Sequence, residues 1–319
     1  MVHDWRQRMH LGVVHFMLYP VIRDEGPIAE TFEALARDEF VDVIEVRRSE
    51  QPGMHAKLRA IAETAGVKIG VGAQPGLLLN KLSLNDPDEA GRKAAIEEVK
   101  KSIDAAYEMG ARICAALSGP MPEGEDEVRR QLDLLVDSCV ELAKYSIAKA
   151  QDYDYVVWLS IEQFDDAIDK RCLIGPTDLA AELARRVREE AANFGLTVDL
   201  SHIPLLNQEA ADLVGALAPY IIHVHVGNCV KEDKENPAYG DKHPRFGYPG
   251  SENDWPQLRD FIEVLTYAGY FGAEVPTEKP VVTFEVAPVG DETPELVWAG
   301  TKRTWLRAWA EVGVEEQLS

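Results

Sequence analysis

Four apolar runs in this chain each end on a residue able to bind a cation or move a proton. They are Glu162 in WLSIEQF, Asp199 in TVDLSH, His225 in HVHVGN and Glu285 in TFEVAP. One acid at the end of a strand reads as a salt-bridged or solvated group. Four polar residues on four consecutive runs read differently. Three buried carboxylates repel one another unless a cation neutralises them. Three carboxylates, one imidazole and open positions for substrate suit Mn²⁺, Mg²⁺, Co²⁺ or Zn²⁺. The wealth of carboxylate favours Mn²⁺ over a structural zinc, which prefers thiolate. In a strand, His223 and His225 point to one face and Ile222 and Val224 to the other. His225 is then the ligand near the rim, and His223 packs or orients one layer deeper.

Such a site needs strands to carry it. β-branched runs recur as HLGVVHFM, VDVIEV, VKIGVGA, ARICAAL, YVVWLSIE, LTVDLSH, YIIHVHV and VVTFEVA. Helix-period segments lie between them. One, DPDEAGRKAAIEEVKKSIDAAYEMG, opens on a capping Asp and an early Pro. Eight repeats of strand then helix in 319 residues predict an α/β fold, an eight-stranded parallel (β/α)₈ TIM barrel. An open doubly wound sheet is the runner-up, but it carries a glycine-rich phosphate turn after its first strand. Here that strand runs into HFMLYPVIRDEG, which has none. No Gly-, Ser- or Pro-rich linker divides the chain, so residues 1–319 read as one domain. Barrel active sites lie where strands end at their C-terminal face, which is where the four residues fall. His15, at the end of the first strand, and Glu45, at the end of the second, are expected on the same face as substrate contacts. Trp158 and Phe16 are expected to line the pocket. One connection is out of proportion: GNCVKEDKENPAYGDKHPRFGYPGSEN, residues 227–253, after the seventh strand. Long loops in compact domains are functional or disordered. Tyr239, His243, Arg245, Phe246 and Tyr248 make it read as an ordered lid hinged at Gly227 and Asn228.

The bulk properties narrow the function. A net charge of −22 opposes binding to nucleic acid. Hydrophobic residues make up 46% of the chain, enough for a sizeable core. Cys114, Cys139, Cys172 and Cys229 are scattered without a CxxC pair, which fits a reducing cytosol. The N-terminal stretch has no signal-peptide pattern, and no run reaches the ~18 apolar residues of a membrane helix. The expected location is the cytoplasm.

The stretches SIEQF, VDLSH, HVHVGN and TFEV resemble the xylose-isomerase-like barrel superfamily. That group includes sugar isomerases, keto-sugar 3-epimerases, inosose dehydratases and endonuclease-IV-type enzymes, and the resemblance spans nearly the whole chain. It implies one divalent ion held by Glu162, Asp199, His225 and Glu285. It makes His202 a substrate contact, and it places Lys231, six residues after His225, on substrate hydroxyls where the epimerases usually have arginine. The epimerases also carry a glutamate six residues after the strand-five ligand, and Ile168 stands there. The stretch YGDKHPRFGYPGSEN, with His243 and Arg245, resembles the catalytic subunits of C-glycoside deglycosidases. Those act on 3-keto-glycosides by metal-assisted elimination, beside a small β-subunit.

The implied reaction is proton abstraction α to the carbonyl of a sugar or keto-sugar, with Glu162 and Glu285 as base and acid. The alternative is a lyase of the C-glycoside or inosose type, in which His202 or His243 assists the leaving group. A barrel that has lost activity has no reason to keep four ligands. The loops after the last two strands offer Lys231, Lys234 and Lys242 but no phosphate site, so a non-phosphorylated substrate is expected. The three-metal repair enzymes need more ligands and a basic surface. The partners implied are a small sugar or glycoside, with neither nucleic acid nor membrane. Assembly is expected as a homo-oligomer, or as a hetero-oligomer with a small β-subunit.

Overall fold

The structure is a computed structural model and describes residues 4–22 and 26–313. Residues 23–25, part of the connection after the first strand, and the chain ends of the expected 1–319 domain lie outside them. Eight parallel strands close into a barrel in chain order. They are β1 (His10–Val14), β2 (Val43–Arg47), β3 (Lys68–Gly72), β4 (Ile113–Leu117), β5 (Trp158–Glu162), β6 (Phe194–Asp199), β7 (Ile221–Gly227) and β8 (Val281–Glu285). All eight coincide with the apolar runs of the sequence. β8 closes on β1 in the register Leu11↔Val282 and Gly12↔Thr283. Strands covered on both faces read as continuous apolar runs, and every residue of β6 and β7 is buried.

The lumen is shaped by small residues opposite large polar ones. A Cβ on Gly12 would lie 2.5 Å from Thr283 Oγ1, and one on Gly70 would lie 2.8 Å from Glu45 Cγ. The ladder between β6 and β7 shifts register between Leu196 and Thr197. Bulges of this kind re-aim side chains near functional sites. Here the shift sets Asp199 level with His225.

Helices cover the barrel. They include α2 (Ile28–Ala36), α3 (Met54–Ala65), α5 (Glu89–Met109), α6 (Glu125–Lys149), α7 (Thr177–Glu190), α9 (Ala210–Leu217), α10 (Trp255–Tyr267) and α11 (Pro294–Glu311). Three short helices were not foreseen: α1 (His15–Leu18), α4 (Gln74–Leu79) and α8 (His202–Leu205). Each starts just beyond a strand, so the chain turns at the catalytic face instead of continuing straight. No helix among the described residues is long and apolar enough to cross a membrane. All four cysteines are buried and free, and burial raises their thiols, that of Cys114 to about 12.

α11 seals the β8–β1 seam. Trp305 is fully buried, with its ring 5.7 Å from Phe284 and 6.1 Å from Trp5. Asp38 clamps the same helix, accepting from Trp298 Nε1 at 2.9 Å, from Lys302 Nζ at 2.5 Å and from the backbone N–H of Phe40 at 3.0 Å. Burial raises the Asp38 carboxyl, but the hydrogen bonds and the Lys302 charge outweigh it and hold it below its ordinary value. A depressed folded pKa contributes stability above the unfolded value, and that stability is lost as pH falls through the folded value. Asp38→Asn should therefore cost about 1–2 kcal/mol at pH 7. Urea titrations at pH 7 and pH 4 should show the gap narrowing in acid.

Candidate metal centre

Glu162, Asp199 and Glu285 are the last residues of β5, β6 and β8, and His225 is the fifth of seven in β7. Each offers one ligand atom, and the four atoms lie within 4.8 Å of one another. His225 Nδ1 stands 2.9 Å from Glu285 Oε2 and 3.3 Å from Glu162 Oε1. These contacts bring charges together without the alignment of hydrogen bonds. His225 Nδ1, Glu162 Oε1 and Asp199 Oδ2 are all buried with no hydrogen-bond partner. The outer atoms of the same side chains are gripped. Glu162 Oε2 accepts from Gln74 Nε2 at 2.8 Å, Asp199 Oδ1 accepts from the Ser201 N–H at 2.7 Å, and His225 Nε2 meets Glu45 Oε2 at 3.1 Å. A buried polar atom without a partner costs about 1–3 kcal/mol. Three of them converging on one point is the arrangement a cation relieves, and three carboxylates with one imidazole are a donor set for a divalent ion. Burial opposes a charge on His225, but Glu45 and Glu162 raise its pKa well above the ordinary value. Without a cation, the imidazolium takes the place of the positive charge.

The segment between β7 and α10 roofs this cluster. Asn228 knots its base, donating to Arg245 O and Ser251 Oγ at 2.8 Å each and accepting from the Asn253 N–H at 2.7 Å. Its middle is tied to the segment between β5 and α7, where the Asp241 N–H donates to Asp169 Oδ2 at 2.8 Å. Asp241 sits among three donors: His243 Nε2 at 2.7 Å, Lys170 Nζ at 2.7 Å and His202 Nε2 at 3.1 Å. His202 Nδ1 meets the carbonyl of Gln163, which can only accept, at 2.7 Å, so both of its ring nitrogens donate. Burial works against charge on both histidines. Asp241 and Asp199 nonetheless lift His202 to about 10, and Glu285 and Asp241 lift His243 to about 9. His243 is held at φ +51°, in the left-handed region a side chain rarely adopts. Such strain persists where the surroundings over-determine it, and it clusters at functional sites. A cavity of about 340 Å³ opens above the cluster. Its lining is part charged, with Glu162, His225, Glu285, Asp241, His243 and Lys170, and part apolar, with Phe16, Met17, Pro75, Leu78, Leu79 and Phe164.

The model of the xylose isomerase-like TIM barrel family matches residues 29–309. The chain belongs to that family. Among curated proteins none matches the sequence. Solved structures that share the fold include the following three. L-ribulose 3-epimerase is 16% identical at TM-score 0.70, with 97% of each chain covered. The IOLI protein with a binding zinc atom is 17% identical at TM-score 0.68, covering 96% of this chain and 100% of its own. The 3-keto-D-glucoside 4-epimerase YcjR from E. coli is 13% identical at TM-score 0.65, covering 93% of this chain and 99% of its own.

In this xylose isomerase-like barrel, four expected substrate contacts lie away from the cavity. His15 opens α1 and turns between helices, with Nε2 2.8 Å from Thr31 Oγ1 and its ring against Tyr19 and Phe32. Burial lowers its pKa to about 3, so it packs as a neutral ring. Trp158 is the first residue of β5, not the last, and four strand residues separate it from the rim by about 13 Å. Lys231 stands 3.7 Å from Glu232, and the Arg245 Nε donates to Glu292 at 2.7 Å. Glu45 reaches the cavity floor, but both of its oxygens are taken by histidines. His243 and Phe16 do line the cavity. Ile168, where the epimerases have glutamate, donates its backbone N–H to Asp165 at 2.6 Å. The sequence reading missed Gln74, Lys170 and Asp241. Gln74 had a readable signal, a polar residue before Pro75 at a strand end. Lys170 and Asp241 meet across 71 residues, which no local pattern reports.

Proposed function

We propose that this barrel is a divalent-metal-dependent enzyme that removes a proton α to the carbonyl of a non-phosphorylated sugar or keto-sugar, in the manner of a sugar isomerase or epimerase. The observation that carries it is the convergence of unpartnered atoms from Glu162, Asp199 and His225 beside Glu285, at the floor of a cavity. A divalent ion held there supplies Lewis-acid polarisation of the substrate carbonyl. Glu285, with its side chain 12% exposed, is the carboxylate most open to the cavity and is placed to take the proton. Glu162, steered by Gln74, sits on the other side of His225 and is placed to return it. His243, charged against Asp241, lines the cavity and keeps Nδ1 without a hydrogen-bond partner, a donor for a substrate oxygen. His202 spends both ring nitrogens on Asp241 and the Gln163 carbonyl and braces the site. A cavity of about 340 Å³ accommodates a monosaccharide. The zinc in the IOLI structure and the named sugar epimerases among the neighbours support the reading.

One observation favours a second reading, a lyase acting on a 3-keto-glycoside. Leu78 and Leu79 at the cavity wall are 45% and 69% exposed. A free ketose has nothing apolar to set against them, whereas an aglycone does. In that reaction the base takes the α-proton, the bond to the aglycone breaks, and the aglycone leaves with a proton from His243, the histidine of the pair that lines the cavity. The E. coli neighbour named for a 3-keto-D-glucoside supports a substrate of this type.

Metal-stripped protein reloaded with Mn²⁺, Co²⁺, Mg²⁺ or Zn²⁺ should be followed by NMR in D₂O with a panel of ketohexoses and an aryl 3-keto-glucoside. Metal-dependent deuterium uptake at the carbon α to the carbonyl is expected. Interconversion of ketoses selects the epimerase reading, and aglycone release selects the lyase. No deuterium uptake with any metal or substrate overturns both.

A further inference from the structure

Beneath the metal cluster, the lumen holds one carboxylate between two imidazoles. Glu45 of β2 is 5% exposed. Its Oε1 lies 2.7 Å from His223 Nε2 and its Oε2 lies 3.1 Å from His225 Nε2. β2 and β7 are not neighbours in the barrel, so these contacts cross its interior. Gly70 makes the crossing possible, because a Cβ there would sit 2.8 Å from Glu45 Cγ. The two imidazole rings stand at 81° with centroids 5.0 Å apart, and both Nε2 atoms converge on the one acid. A carboxylate so deep in a barrel is costly unless its oxygens are satisfied. Here each has a donor.

A deprotonated carboxylate can only accept hydrogen bonds. His225 must therefore donate from Nε2, so that when the ring is neutral, as a ligand must be, its one lone pair is that of Nδ1, on the side of Glu162, Asp199 and Glu285. Nδ1 is the ring atom without a hydrogen-bond partner. We propose that Glu45 is the positioning residue of the metal centre. It fixes the tautomer and ring plane of His225, and His223 holds Glu45 in place. The inference rests on the metal reading above. Both Glu45 oxygens are occupied, so it acts on the reaction only through His225. This also accounts for the two histidines on one strand face: one binds and the other braces the brace.

The test measures metal binding without turnover. Mn²⁺ affinity by competition with a chelating dye, and the visible absorption of bound Co²⁺, are compared for wild type and Glu45→Gln. Glutamine keeps one acceptor for two donors, so its amide either releases His223 or forces the wrong tautomer on His225. The expected result is a 10–100-fold loss of affinity, the usual effect of removing such an outer partner, with a shifted Co²⁺ band. Wild-type affinity and spectrum in Glu45→Gln overturn the inference and leave the metal centre standing. A wild-type chain that takes up no divalent ion overturns the metal centre and this inference with it. Should Glu45→Gln fail to fold, Glu45→Asp serves in its place. Its carboxylate is one methylene short of reaching both rings, and unchanged affinity and spectrum there overturn the inference equally.

Discussion

Glu285→Gln should lower kcat/KM by about 10³–10⁴-fold, the range for a group that transfers the proton. The substitution keeps the shape of the side chain and removes its charge. It strikes twice, since Glu285 is one of four converging ligands and also the carboxylate most open to the cavity. Metal content measured after dialysis should fall with activity. His225→Asn should empty the site more completely, because no other nitrogen lies in that cluster. Lys231→Ala and Arg245→Ala serve as controls. Their partners are Glu232 and Glu292, outside the cavity, and turnover should stay within about threefold of wild type, in keeping with surface changes of ±0.5 kcal/mol. Metal affinity should rise with pH, because the proton held on His225 must leave before Nδ1 can bind. Retention of full metal content and activity in both Glu285→Gln and Glu162→Gln would sink the whole scheme.

The second large effect is on folding. Asp241→Ala leaves the buried His202 and His243, and the half-buried Lys170, without their common anion. Stranding a buried charge costs about 3–5 kcal/mol. Metal-free protein should therefore lose that much stability by urea titration at pH 6, while Asp241→Asn, which can still accept, should lose less. The pH dependence follows from the two kinds of group. Burial raises the Asp241 carboxyl, but His243, His202 and Lys170 hold it well below its ordinary value. Its contribution is present above the unfolded carboxylate range and is lost in acid. The histidines are raised to about 10 and about 9, so their contribution is full below the unfolded value near 6.5 and is lost as pH climbs through 9 to 10. The gap between wild type and Asp241→Ala should be widest near pH 5–6 and narrow by pH 10. A gap independent of pH would mean that Asp241 acts through packing alone.

The strands were legible because parallel strands buried on both faces leave unmistakable apolar runs, and the barrel rule then sends attention to their C-terminal ends. That logic reached Glu162, Asp199 and Glu285 because each is the last strand residue. It misplaced His15, where the backbone leaves the strand one residue early and alternation no longer predicts direction. Trp158 was expected to line the pocket, but it opens β5, at the far end of the strand from Glu162. For Lys231 and Arg245, distance along a loop says nothing about direction once the chain has turned at Asn228. Glu45 was placed on the right face and given the wrong neighbours, because a contact across the lumen depends on the space left by Gly70, its register partner on the next strand, and on histidines of β7. The Lys170–Asp241 pair needs two segments to dock, which only the closed barrel brings about.

The strand order carries a consequence for how the protein matures. All four candidate ligands come from β5 to β8, the later half of the chain, and the acid that steers His225 comes from β2. On a ribosome the early strands emerge long before any ligand does. The pocket of charge is completed only when β8 pairs with β1, the contact of greatest sequence separation in the barrel. An ion bound there would thus arrive late, on a finished barrel, in contrast to small zinc domains, where metal capture drives the chain to fold. Folding would be paced by ring closure, a slow non-local event, and the rate at which refolded protein gains its ion would be set by that step and not by the supply of metal.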